Sequence, residues 1–182
     1  MKGKLILVTG LSGSGKTTLV QGALQALPEL VYLRTYTTRP MRPGETASHE
    51  YEFVNPAEYD RLRDESASWD HTEYHGYSYG ADVAGIFRKL QDGQDIICSV
   101  APSPAIIAQV TGLYGTMTIT VLIDTSRQIA QRRTATDAKR AARTRDESLD
   151  DIRFDHIFAP QGTLETDVKD FTELIRNISS SD

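Results

Sequence analysis

Cysteine is almost missing from this chain: Cys98 is the only one in 182 residues. No intramolecular disulfide can form, and neither a cysteine-built zinc site nor the stapled scaffold of a small secreted domain is open to it. Long apolar runs are missing as well. No stretch approaches the ~20 consecutive apolar residues of a membrane-spanning helix. The apolar run behind the two early lysines (MKGKLILVTG) is about six residues, short of the roughly 7–15 of a signal-peptide core. Excess positive charge is absent too: 20 Lys+Arg face 25 Asp+Glu, for a net charge of −5 and an isoelectric point near 5.4. That argues against general duplex-DNA binding, while leaving room for a local basic pocket around a phosphorylated small molecule. From these absences we expect a soluble, cytoplasmic protein with no nucleic-acid and no membrane partner.

What is present suits one folded domain. Hydrophobic residues make up 39% of the chain and charged residues 25%, and a core at this length buries roughly 70% of the surface that the unfolded chain exposes. Residues 4–9 (KLILVT) form a near-continuous apolar run closed by Gly10, as in a strand buried on both faces of a parallel sheet. Further strands are expected at 31–34, 96–100 and 117–123. Helices are expected at 17–27, 83–91, 105–110, 126–133 and 166–178, and the terminal serines should fray. Strand alternating with helix predicts an α/β domain built on a parallel sheet flanked by helices. Residues 35–81 break that rhythm. They are rich in Tyr, Glu, Arg and Asp, with short alternating stretches at 51–54 and 69–74, and predict an inserted subdomain within a core of 1–34 and 82–182. The charged segment 132–151 is read as a solvated helix or a lid.

The residues Gly10-Leu-Ser12-Gly13-Ser14-Gly15-Lys16-Thr17 fit G-x-x-x-x-G-K-[ST], and Thr18 follows. Glycines let successive backbone N–H groups turn inward on phosphates, and the next helix offers its positive end. Lys16 reaches the β- and γ-phosphates in such a loop, and the Thr17 hydroxyl ligates Mg²⁺. Because the motif follows a buried strand and opens an amphipathic helix, it predicts a nucleoside triphosphate site.

A second cluster reads Thr35-Tyr-Thr-Thr-Arg39-Pro-Met-Arg42-Pro-Gly44-Glu45, then Glu50-Tyr51-Glu-Phe53-Val54, then Asp70 and Ser78-Tyr79-Gly80-Ala81. Two guanidiniums three residues apart can fork onto one phosphate dianion, and Tyr51 and Tyr79 can add hydroxyl donors. The bland alternative is that both arginines pair with Glu45 and Glu50 at the surface. His71 and His75 stand four apart without evident third and fourth ligands, so no metal site is expected there.

This cluster resembles the nucleoside monophosphate site of guanylate kinases, which carry S-x-T-T-R-x-x-R-x-G-E, a D-Y-x-F-V segment, and an acidic residue shortly before Y-Y-G. The resemblance spans about residues 4–92. It implies a P-loop NTPase-type fold and a kinase that moves the γ-phosphoryl group of ATP to GMP, dGMP or a related nucleotide. It also implies an acceptor site of Thr35, Arg39, Arg42, Tyr51, Asp70, Tyr79 and Ala81. Lys16 and Arg39 are then expected to act in catalysis together with the lid residues Arg133 and Arg143, from a lid set that also holds Arg132, Arg140 and Arg145. Departures stand beside these matches. The family ends the strand after the subdomain with D-x-D where this chain has Ser99 and Ala101, Asp70 replaces the usual Glu, and Ala81 replaces a hydroxyl residue. Asp124 is a substitute carboxylate or a strand-end cap. Two alternatives stay open: a kinase for a modified nucleotide or small phosphorylated sugar, and a protein-binding module that has lost catalysis.

Overall fold

The computed structural model describes residues 2–41, 51–74, 76–100, 102–125, 149 and 152–181. At its centre strand β1 (Leu5–Thr9) is buried at every position. Its period-two alternation sends Leu5 and Leu7 to one layer of helices and Ile6 and Val8 to the other. β7 (Ile96–Ser99) and β8 (Thr118–Ile123) pair in parallel with its two edges. With β2 (Val31–Tyr32) outside β7 and β9 (His156–Phe158) outside β8, five parallel strands run in the order β2-β7-β1-β8-β9.

On one face, α1 (Lys16–Ala26) and α5 (Leu164–Ser180) bury Leu19, Val20, Ala23, Phe171 and Ile175 against Ile6, Val8 and Val121. On the other, α3 (Val83–Gln91) and α4 (Pro104–Tyr114) bury Ile86, Leu90, Ile107 and Tyr114 against Leu5, Leu7 and Cys98. Burial pushes the Cys98 thiol up to about 12. The expected α/β architecture is therefore present, with two boundaries corrected. Helix α4 runs past the expected 105–110 and stops at Gly115, where φ is 57°. The terminal serines do not simply fray: α5 continues through Ser180, and Lys4 Nζ donates to Ile178 O at 2.6 Å and Ser181 Oγ at 2.9 Å. The helix expected at 126–133 and the segment 132–151 lie outside the described residues, Leu149 excepted.

Residues 35–82 contribute a second sheet of order β4-β3-β6-β5, from β3 (Thr35–Thr37), β4 (Tyr51–Phe53), β5 (Trp69–Tyr74) and β6 (Tyr77–Asp82). Between β4 and β5 lies α2 (Pro56–Glu65), a helix the sequence reading did not anticipate. Its start is chemically explicit: Asn55 accepts from Glu58 N at 2.9 Å, and Pro56 supplies the preset first turn. Its purpose in the fold is Tyr59, only 2% exposed. The Tyr59 hydroxyl accepts from Trp69 Nε1 at 3.1 Å, donates to Tyr79 O at 2.8 Å and lies 2.8 Å from His71 Nδ1. One residue of β6 makes room for this hub. A Cβ on Gly80 would meet Trp69 Nε1 at 2.3 Å and Tyr59 Oη at 2.4 Å, both inside contact distance.

Gly80→Ala should accordingly destabilise the second sheet by about 1–3 kcal/mol, the usual range for overpacking. Trp69 is the only tryptophan of the chain, so its fluorescence during urea unfolding reports this site directly. An unchanged midpoint and emission maximum in the variant would contradict so close an approach.

Candidate active site

The phosphate loop leaves β1 through Gly10 (φ 149°) and passes Gly13 (φ 82°) and Gly15 (φ 96°), all in the region that side chains disfavour. At Gly10 a Cβ would also stand 2.6 Å from Ile123 O. Gly15 is the N-cap of α1 and no side chain caps the helix, so its positive end opens on the loop. Ser14 is 1% exposed, and its carbonyl accepts from Thr125 Oγ1 at 3.2 Å, which ties the loop to the end of β8. Ser12 and Gly13 are half-buried, and Thr17 and Thr18 are exposed on the first turn of α1. Lys16 curls back into the loop, donating from Nζ to the carbonyls of Gly10 and of Leu11 (2.9 Å) and to Ser14 Oγ at 3.5 Å. A lysine ammonium in the loop beside the uncapped N-terminus of α1 is an arrangement suited to polyphosphate.

The second sheet gathers the other phosphate candidates. Arg39 is 7% exposed, with its guanidinium carbon 5.3 Å from the centre of the Tyr51 ring and 5.0 Å from that of Phe53. Its Nη1 donates to Pro40 O at 3.0 Å and its backbone N to Thr37 Oγ1 at 3.1 Å. Tyr79 meets Tyr51 edge-on, with centroids 5.9 Å apart. Arg39, Tyr51 and Tyr79 are thus brought to one place, whereas a surface arginine would splay into solvent. Aromatic faces orient a guanidinium by stacking and cation–π attraction, which fixes the plane of its N–H fork. Phe53, which makes half of this seat, was noted only as part of a motif. Thr35 opens β3, half-buried and in register with Tyr51. Arg42, Glu45, Glu50, Arg133 and Arg143, with Arg132, Arg140 and Arg145, lie outside the described residues.

Asp70, on β5, stands opposite Ala81 on β6. Ala81 is 8% exposed and packs in the core cluster that holds Leu7, Cys98 and Tyr114. Asp70 Oδ1 accepts a hydrogen bond from Gln109 Nε2 on α4, a partner that carries no sequence signature. Burial first, then the nearby Asp70 charge, raises the Tyr114 phenol above its ordinary range. His71 is engaged by Tyr59, as its Nδ1 contact shows. At the end of β7, Ser99 donates its N–H to Tyr32 Oη at 3.1 Å, while its hydroxyl is buried with no hydrogen-bond partner among the described residues. Ala101 and His75 lie outside the described residues. Asp124 is exposed just past β8, and its N–H donates to Phe158 O at 2.9 Å. Among the described residues no helix is long and apolar enough to cross a membrane.

The chain is similar to known proteins in sequence and in fold. A family model described as "Guanylate kinase" matches residues 2–177. A guanylate kinase of Deinococcus radiodurans is 35% identical over 155 residues, which is 80% of this chain and 64% of that protein. One from Aromatoleum aromaticum is 39% identical over 100 residues, 55% of this chain and 49% of that protein. The chain therefore spans roughly half to two-thirds of these curated relatives. Among solved structures, a guanylate kinase from Anaplasma phagocytophilum superposes with a TM-score of 0.68 at 20% identity, covering 99% of this chain and 88% of that one. A gluconokinase from Sinorhizobium meliloti gives 0.51 at 13% identity, covering 98% and 94%. At such identities these two similarities concern the fold alone.

Proposed function

Because the chain belongs to the guanylate kinase family, we propose that it moves the γ-phosphoryl group of ATP onto the phosphate of GMP, dGMP or a closely related nucleotide. The observation that carries this is the pairing of a complete phosphate loop with a buried arginine seated on Tyr51 and Phe53 beside Tyr79. Lys16 and the loop amides hold the donor phosphates. Arg39 and Tyr79, with Arg42 and Tyr51, hold the acceptor phosphate, and Arg133 and Arg143 complete the positive surround. Phosphoryl transfer asks for positioning and charge neutralisation more than covalent chemistry, and these residue types supply both.

Mg²⁺ fits the donor set. The exposed Thr17 hydroxyl stands one residue after Lys16, and among the described residues no group of three His, Cys, Asp or Glu could hold a metal alone. A hydroxyl so placed could hold such an ion together with the substrate phosphates. Held by Thr17, such an ion would offset charge on the donor phosphates. Ser99 puts no carboxylate behind such an ion, and Asp124 is the exposed carboxylate on the neighbouring strand end.

Asp70 is assigned to the base. Guanine offers N1–H and an N2 amino group side by side, and one carboxylate accepts from both. Adenine offers an acceptor at N1, which a carboxylate repels. ADP release measured over a panel of monophosphates tests the assignment, with GMP or dGMP expected fastest. Asp70→Asn should cut the guanine preference by about 1–3 kcal/mol, since an amide accepts only through its one oxygen. A panel led by AMP or UMP overturns the base assignment and leaves the kinase standing. Ser99 favours one rival, a phosphopeptide-binding module without turnover; no ADP release with any monophosphate, together with binding of a phosphopeptide, would favour it.

A further inference from the structure

Helix α4 reads Pro-Ala-Ile-Ile-Ala-Gln-Val-Thr-Gly-Leu-Tyr, and Gln109 is its one long polar side chain apart from the buried Tyr114. Thr111 turns its hydroxyl back onto the helix, donating to Ile107 O at 2.9 Å and Ala108 O at 3.1 Å. Gln109 instead leaves the helix. Its Nε2 donates to Asp70 Oδ1, 39 residues away in sequence and on the other sheet. Nothing on the opposing strand can do this work, because the residue across from Asp70 is Ala81, a methyl group packed into the α4 side of the core.

Resting on the reading of Asp70 as the base-recognising carboxylate, we propose that Gln109 is a positioning residue for base selection. It ties the Asp70 carboxylate to α4 and fixes which of its lone pairs face the base. A carboxylate offers about four acceptor directions and turns freely about its last torsion. One donor on Oδ1 removes that freedom and leaves Oδ2 with the rest of Oδ1 for the two guanine donors. The neutrality of the amide matters. A Lys or Arg at 109 would neutralise the charge that guanine's N–H groups are to meet, whereas an amide holds the ion and leaves it ionic. Gln109 Oε1 remains as a further acceptor on the same side. In a chain with the shorter Asp, and with Ser99 where the family has a carboxylate, this tie supplies from α4 part of the order that the strand end lacks.

The test compares steady-state kinetics with GMP, IMP and ATP for the wild-type chain, Gln109→Ala, Gln109→Glu, Asp70→Asn and the double variant Gln109→Ala/Asp70→Asn. IMP lacks the N2 amino group, so the ratio of GMP to IMP reads the carboxylate geometry. In Gln109→Ala the KM for GMP should rise about tenfold while kcat and the KM for ATP stay within about twofold. The GMP-over-IMP ratio should shrink with it. Gln109→Glu, which sets two carboxylates against each other, should do worse than alanine. In the Asp70→Asn background the alanine change should add nothing, since the group it positions is gone. An unchanged KM for GMP in Gln109→Ala overturns the proposal, as does additivity in the double variant. So does an equal loss for GMP and ATP with a lowered melting temperature, the mark of a merely structural contact. If the wild-type chain transfers to no monophosphate, the kinase reading falls and this inference with it; wild-type transfer to GMP with an indifferent Gln109→Ala removes the inference alone.

Discussion

Replacing Lys16 by Ala should lower the rate of ADP release by at least about 10²–10³ at saturating GMP, the scale of losing one preorganised charge donor at a reacting centre. Two physical losses coincide at this position. The ammonium that would follow charge building on the transferring phosphoryl is gone, and so are the donations to the Gly10 and Leu11 carbonyls and to Ser14 Oγ that hold it inside the loop. The core is untouched, since Leu19, Val20 and Ala23 carry the packing of α1, so circular dichroism and the unfolding midpoint should remain near wild type. Lys16→Arg is the sharper control. It keeps the charge but replaces a compact ammonium, held on the Gly10 and Leu11 carbonyls, by a wide planar fork that cannot reproduce those contacts. Turnover near wild type in Lys16→Ala would remove the loop from the reaction.

Arg39→Ala should raise the KM for GMP by roughly 10–100-fold, from loss of charge-assisted bonds of about 1.5–3 kcal/mol, with ATP affinity nearly unchanged. Here a fold effect accompanies the binding effect. Arg39 is buried against two rings, so its removal also opens a gap beside Tyr51 and Phe53. Arg39→Lys separates the two. It retains the charge and much of the stem, yet cannot fork onto a phosphate or stack flat, so acceptor binding should still fall while stability largely recovers. Equal losses for GMP and ATP in both variants would place Arg39 outside the acceptor site.

The phosphate loop was legible in the sequence because everything it needs is contiguous: a buried strand, glycines at positive φ, then Lys16 and Thr17 on a helix start. The central strands were legible for the same reason, each being a short apolar run with little competition from helix. The second sheet was harder to read. β3 there, like β9 in the central sheet, has three residues, too few for a period-two pattern to stand out, whereas β4 and β5 fall in the alternating stretches 51–54 and 69–74. Helix α2 is almost wholly polar, with Tyr59 its one buried residue, so amphipathic periodicity gave no sign. The Asn55-Pro56 start followed by Glu58 was the available clue, a capping signature overlooked inside a charged stretch. The core seat of Ala81 and the Gln109 tie to Asp70 depend on α4 packing against a strand far away in sequence. Spacing along the chain cannot report such a contact.

Cys98 carries a consequence of a practical kind. It lies in the middle of the sheet, in register with Leu7, with a thiol too weakly acidic to ionise near neutral pH. Buried and weakly acidic, Cys98 should react only slowly with maleimides and other thiol-directed reagents in the folded chain. A cysteine introduced on the exposed surface of α2 or α4 would be the single reactive handle in the molecule, and a dye placed there would need no prior removal of the native residue from the core.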